Sequence, residues 1–280
     1  MYKTRTFQGK KIYNYELFQM DVEANLPAML SKKPADDMNV LLVGAWHGDE
    51  IRSFLKWPNS KIWAFEPNPT NFKYLKERYS NNPRVKCFDY ACGEENGSAI
   101  LYEANITGND SLLKIKEDAH IKLEKTHNVQ VRRLDSIAEL KNIHIDLLWI
   151  DAQGFELPIL KGAIPLLANT SSLFLEINED DRTYNEATTS GNLRSFLEQK
   201  GFRVAHQEND GTGESGSALF ITNKISTNAY DSENAVEERT VKALENRSGE
   251  IVFTKNPLYK ILSRTLPSSF KAKLKKILSL

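Results

Sequence analysis

Residues 39–68, NVLLVGAWHGDEIRSFLKWPNSKIWAFEPN, decide how the rest of the chain is organised. Val40, Leu41, Leu42 and Val43 form a short apolar run of the length expected for a strand buried on both faces. Gly44 and Gly48 bracket a tight turn, and a helical pattern follows with Ile51, Phe54 and Leu55 on one side. Lys61 to Phe65 reads as a second strand, tipped by the carboxylate of Glu66 and stiffened by Pro67. Strand, glycine turn, helix and acid-tipped strand make up half of a nucleotide-binding α/β unit. Glycines allow a ligand close to the backbone, a helix N-terminus offers free N–H groups, and a carboxylate can accept both ribose hydroxyls.

Working outward, residues 1–38 are a polar lead with amphipathic hints at Tyr15, Phe18 and Met20, expected to cap the core. Residues 39–223 alternate strand-like and helix-like patterns, which predicts a mostly parallel sheet covered on both faces. Asn68 to Tyr79 reads as a helix with Pro69 near its first turn, and Arg84 to Asp89 as a third strand. Gly97 to Tyr102 and Val129 to Leu134 read as extended. Ile145 to Ile150 is the next buried strand, ending at Asp151. Pro158 to Leu167 reads as a helix that Pro165 must shorten or kink. Ser172 to Ile177 is a fifth parallel-type strand. Leu193 to Gly201 reads as a helix with a glycine stop, and two further strands close the sheet as an antiparallel pair. Gly211, Gly213 and Gly216 spell the dinucleotide fingerprint, but they precede a strand instead of opening a helix, so a hairpin loop is expected there.

The composition narrows the function classes. With 280 residues the chain can bury a full core. Its formal net charge of zero gives no global field toward nucleic acid. The first residues carry charges throughout and no apolar signal core, and two cysteines, Cys87 and Cys92, cannot build a disulfide framework; a cytoplasmic location is expected. The five histidines have no metal-ligand spacing, and no metal site is expected. Residues 224–255 read as an acidic linker. Residues 256–280 carry six basic side chains and no acidic one beside an apolar stripe of Phe270, Leu274, Ile277 and Leu278. Such a segment fits either the anionic inner surface of a membrane or a docking site on protein.

Several blocks resemble the FkbM-type S-adenosylmethionine-dependent methyltransferases: VGAWHG at 43–48, FEPNPTNFKYL at 65–75, RLDSI at 133–137, IDLLWIDAQGFELPILKGA at 145–163 and LFLEIN at 173–178. The likeness covers roughly 39 to 223. It implies a class I methyltransferase fold, that is, an open Rossmann-like sheet with helices on both faces and an antiparallel closing strand. It also implies S-adenosylmethionine as cofactor, and methylation of a hydroxyl on a sugar, glycan, glycolipid or related polar metabolite. In that setting Glu66 suits the donor ribose, Asp89 the adenine amino group, and Gly44 and Gly48 close approach of the methionine part. An alcohol acceptor must lose a proton, and Asp151, Glu156 and His47 are the candidate catalytic groups, with Glu176 a further acid. Leu42 stands where family members usually begin the glycine turn with an acid, a change expected to weaken contact with the methionine portion. Trp149 stands where many have lysine, a change expected to bear on the acceptor pocket. A non-catalytic protein that keeps the fold and has lost donor binding is the alternative.

Overall fold

The computed structural model describes residues 4–7, 10–13, 19, 22–23, 25–27, 29–33, 35–179, 182–209 and 215–225. The basic segment at 256–280 and nearly all of the acidic stretch before it lie outside the described residues, as do Tyr15, Phe18 and Met20.

A short hairpin, β1 (Thr4–Phe7) and β2 (Lys10–Tyr13), precedes the main body. The core strands β3 (Met38–Val43), β4 (Ser60–Phe65) and β5 (Val85–Phe88) run parallel, as do β9 (Ile145–Ile150) and β10 (Thr170–Asn178) on the other side of β3. β11 (Phe202–Asn209) and β12 (Ser215–Thr222) complete a seven-stranded sheet in the order β11-β12-β10-β9-β3-β4-β5, with β12 antiparallel to both of its neighbours. The glycine-rich 211–216 stretch therefore joins the two strands of an antiparallel hairpin, Asn209 opposite Gly216. A fingerprint for dinucleotide binding needs a strand followed by a helix, and that context is absent here.

The period-2 alternation of the strands splits the core into two layers. Leu41, Val43, Phe65, Leu148, Ile150, Leu173 and Leu175 face one side. There they pack against α3 (Glu156–Lys161), α4 (Ile164–Leu167) and α5 (Ser190–Gln199) through Ile159, Leu160, Leu167, Leu193 and Leu197. Val40, Leu42, Ile62, Leu147, Trp149 and Phe174 face the other. They meet α1 (Asp49–Phe54) through Ile51 and Phe54, α2 (Pro69–Tyr79) through Leu75 and Tyr79, and the helical residues Val22, Leu26 and Met29. Among the described residues of the N-terminal segment, Val22, Leu26 and Met29 are the ones buried in this layer. Pro165 acts as its geometry dictates: the 158–167 pattern is two helices broken at Gly162, with the proline in the first turn of the second.

A second sheet of three strands, β6 (Ala91–Cys92), β8 (Leu123–Arg132) and β7 (Gly97–Ala104), stands beside the first. β8 begins six residues before the extended stretch expected from Val129, because its first half, LEKTHN, is largely exposed and carries no apolar alternation. No helix among the described residues is long and apolar enough to cross a membrane.

Candidate active site

Strand order reverses at β3, which has β4 on one side and β9 on the other, so a crevice opens beyond the C-terminal ends of these strands. A cleft of roughly 820 Å³, part of it open to solvent, occupies that place, and its walls come from Gly44, Glu50, Glu66, Asp110, Asp151 and Gln153 among others. One part is apolar, with Phe65, Tyr90, Cys92, Leu112, Phe155 and Ile159. The other part is carboxylate-rich.

Gly44 turns the chain at the tip of β3 with φ +78°, and a Cβ there would overlap the Asp151 carbonyl oxygen. Only glycine lets the β3 turn and the β9 tip sit this close. The backbone N–H groups of Gly44 and Ala45 both donate to the Phe65 carbonyl oxygen at 3.0 and 2.9 Å, which ties the turn to the tip of β4.

Glu66 follows β4 directly and is buried. Its Oε2 accepts from the Trp46 backbone N–H at 2.7 Å, and its Oε1 from the Asn68 N–H at 2.8 Å. These bonds fix the carboxyl plane and leave each oxygen a further lone pair. Burial nonetheless raises its pKa to about 7, the two N–H groups opposing the shift and Asp110 and Asp151 adding to it. Trp46 holds its place in the left-handed region, φ +44°, an uncommon conformation for a bulky residue, so the turn that supplies this N–H is strained. Asn68 ties several groups together. Its backbone N–H binds Glu66, its Oδ1 accepts from Thr70 N–H at the start of α2, and its Nδ2 donates to Asp110 Oδ2 at 2.7 Å.

On the far side, Gln153 sits with φ +52° and its Nε2 donates to Asp151 Oδ1 at 2.8 Å and to Glu176 Oε2 at 2.7 Å. The Tyr184 hydroxyl lies 3.2 Å from Gln153 Oε1. Asp151 is open to the cleft, yet protein surrounds the cleft floor, and that desolvation raises its proton affinity. Desolvation and the Asp151 charge raise Glu176 well above the ordinary range. Two acids pushed together by one amide hold a proton between them more readily than either would alone.

The expected site residues are thus divided. Gly44, Glu66 and Asp151 line one cleft. Glu156 does not reach it: its side chain is fully buried, and Oε1 accepts from the backbone N–H groups of Ala152 at 3.2 Å and Gly154 at 3.0 Å. This carboxylate braces the loop that presents Asp151 and Gln153. Gly48 lies behind the wall, where its carbonyl accepts from the Tyr79 hydroxyl at 2.7 Å and a Cβ would strike Leu75 and Tyr79. His47 stacks on Trp46 at 4.0 Å, outside the lining. Asp89 is exposed and also outside it, while its neighbour Tyr90 faces in. Trp149, expected to bear on the acceptor pocket, is buried in the opposite core layer, stacked on Phe174 at 4.0 Å. Sequence reading passed over Glu50, Asp110 and Tyr184. Glu50 lies two residues past Gly48 on α1, and Asp110 and Tyr184 belong to loops; nothing local marks any of the three as facing the cleft. Among the described residues no group of three or more His, Cys, Asp or Glu is placed to hold a metal ion.

The family model described as the methyltransferase FkbM domain matches residues 43–204. The 2-O-methyltransferase NoeI of Sinorhizobium fredii (strain NBRC 101917 / NGR234) is 26% identical over 167 residues, 54% of this chain and 67% of that protein. Methyltransferase 1 of Beauveria bassiana (strain ARSEF 2860) is 28% identical over 177 residues, 55% of this chain and 68% of that protein. A crystal structure of magnesium protoporphyrin IX methyltransferase from Synechocystis PCC 6803 with bound SAM aligns at TM-score 0.42 and 10% identity, covering 74% of this chain and 80% of that one.

Proposed function

The chain belongs to the FkbM methyltransferase family, and on that premise we propose that it transfers a methyl group to a hydroxyl of a sugar, glycan or related polar metabolite. Its donor is S-adenosylmethionine and its fold that of the class I methyltransferases. When bound, this donor supplies a methyl on a positively charged sulfur.

The residues of the cleft fit such a group. Glu66 has two fixed oxygens with lone pairs to spare, the acceptor-only partner that a ribose diol requires. The apolar part, with Phe65, Tyr90 and Phe155, suits a flat heteroaromatic ring. Asp110, on the loop across from Glu66, is the lining acid nearest the role expected of Asp89.

The observation that carries the hydroxyl reading is the Asp151–Gln153–Glu176 group at the cleft floor. An alcohol attacks well only as its proton leaves, and a nearby carboxylate of raised proton affinity is a suitable receiver. Gln153 holds Asp151 in one orientation while Glu176 stands behind it. That NoeI is named a 2-O-methyltransferase supports oxygen as the attacked atom. Alignment of the acceptor in the cleft supplies the rest of the rate.

The test is methyl transfer to a panel of simple glycosides and polyols, read by mass spectrometry. Asp151→Asn should keep donor affinity within about twofold and lower kcat by about 10²–10⁴-fold on the acceptor found. Unchanged turnover in that variant would remove Asp151 from the chemistry. Donor binding with no transfer to any hydroxyl would favour a binding protein that retains the fold.

A further inference from the structure

Glu50 is a cleft acid apart from the groups proposed for the ribose and the hydroxyl. It lies on α1, two residues past the Gly44–Gly48 turn, and contributes to the wall of the same cleft as Glu66 and Asp151. Its surroundings are unfavourable to a charge. It is half-buried, protein surrounds its carboxyl, and the carboxylates of Glu23, Asp151 and Asp49 all act on it. Gln19 Nε2 donates to its Oε1 at 3.3 Å, while Glu23, from the same N-terminal segment, accepts from Ser53 Oγ at 2.7 Å on the next turn of α1. Among the described residues that line the cleft, none is Lys, Arg or His. The Glu50 backbone N–H and the Gln19 amide favour the anion, but burial outweighs them, and a cation entering from the cleft would stabilise it further.

We infer that Glu50 receives the α-ammonium group of the donor's amino-acid portion, and that the N-terminal segment holds it there through Gln19. The inference rests on the donor lying in this cleft, with its ribose at Glu66. From that anchor the molecule has two directions. The apolar wall of Phe65, Tyr90 and Phe155 takes the base, so the amino-acid portion extends the other way, across the tips of β3 and β9. Asp151 follows the tip of β9, and Glu50 lies near enough to feel its charge. Asp151 is already engaged with Gln153, and Glu50 has the amide of Gln19 at a longer distance. The donor thus meets one carboxylate at each end of its polar part, and the stretch before residue 43, outside the family match, becomes part of donor recognition.

Isothermal titration calorimetry on the full chain with three ligands separates the possibilities. S-adenosylmethionine and S-adenosylhomocysteine both carry the ammonium, and only the first carries the sulfonium; 5′-methylthioadenosine carries neither. Glu50→Gln should weaken binding of the first two by tenfold or more and leave 5′-methylthioadenosine within twofold. Glu50→Asp, which keeps the charge, should recover part of the loss. Gln19→Ala should lower the same two affinities by a smaller factor. Equal weakening of all three ligands would overturn the assignment, since it would mean that Glu50 only shapes the wall. Weakening of S-adenosylmethionine alone would give Glu50 to the sulfonium and also overturn it. If the wild-type chain binds the donor and Glu50→Gln binds it as well, the inference fails and the donor site stands. If the wild-type chain binds none of the three, the placement of the donor fails with it.

Discussion

Glu66 shows how much of this site's behaviour is set by a single carboxyl. Its pKa of about 7 belongs to the folded protein with an open cleft, where burial outweighs the N–H groups of Trp46 and Asn68, and where Asp110 and Asp151 add repulsion. On the proposed placement the ribose needs the ionised form, so binding would draw the proton off. Affinity for S-adenosylhomocysteine should therefore rise about tenfold between pH 6 and pH 8, following one titration centred near 7, and more if Glu50, also raised to about 7, titrates with it. Calorimetry across that range checks the sign: flat or falling affinity would place another group at the ribose. The effect on the free protein runs the other way. A carboxyl whose folded pKa exceeds its unfolded one stabilises the fold fully below the unfolded value and loses that contribution as pH rises through 7. Glu156, buried and also raised to about 7, acts in the same sense.

At the level of elements, the turns after β3, β4 and β9 make the site, and they are held by one another more than by their own sequences. Asn68 is where three of these constraints meet: it caps α2, donates to Glu66 through its backbone, and ties Asp110 to the cleft wall. Asn68→Ala should cost about 1 kcal/mol from the lost cap alone. It should also weaken donor binding, because Asp110 loses its 2.7 Å donor while Glu66 keeps its backbone bond. Chemical denaturation and donor titration of the one variant separate the two effects. A change in stability without any change in affinity would leave Asp110 outside the donor site. The helical break at Gly162 has a simpler cause, the ring of Pro165, which can open a helix but cannot continue one.

For the molecule as a whole, the described residues just before β3 are a structural part of the domain. Val22, Leu26 and Met29 are buried against the same layer as Phe54 and Trp149. Lys32 Nζ meets the buried Asp146 at 2.6 Å at the opposite end of the sheet from the cleft. Burying three such apolar side chains contributes about 1.5–3 kcal/mol each, a large part of the 5–15 kcal/mol typical of a domain. A chain beginning at residue 37 should accordingly melt far below the full chain or fail to fold, as circular dichroism would show. An unchanged melting temperature would make the segment an ornament and would also undercut the role given to Gln19.

The sequence by itself determined the sheet. Apolar runs at 40–43, 145–150 and 172–177 are long enough and apolar enough to be legible as buried strands, and Gly44 with Glu66 marked the strand tips at which the cleft lies. The same local signals also singled out Asp89, Glu156, His47 and Gly48, which carry suitable chemistry next to the cleft but are not part of its lining. Which side of a turn a residue faces depends on contacts many positions away: the Asp151 carbonyl against Gly44, the backbone N–H groups around Glu156. Glu50, Asp110 and Tyr184 join the site only because α1, the loop after β7 and the loop after β10 converge on it in space. No periodicity within any of them could announce that meeting. Local pattern fixes strands and helices because their hydrogen bonds and buried faces repeat along the chain, whereas a cleft is defined by what arrives from elsewhere, and only the tertiary fold decides that.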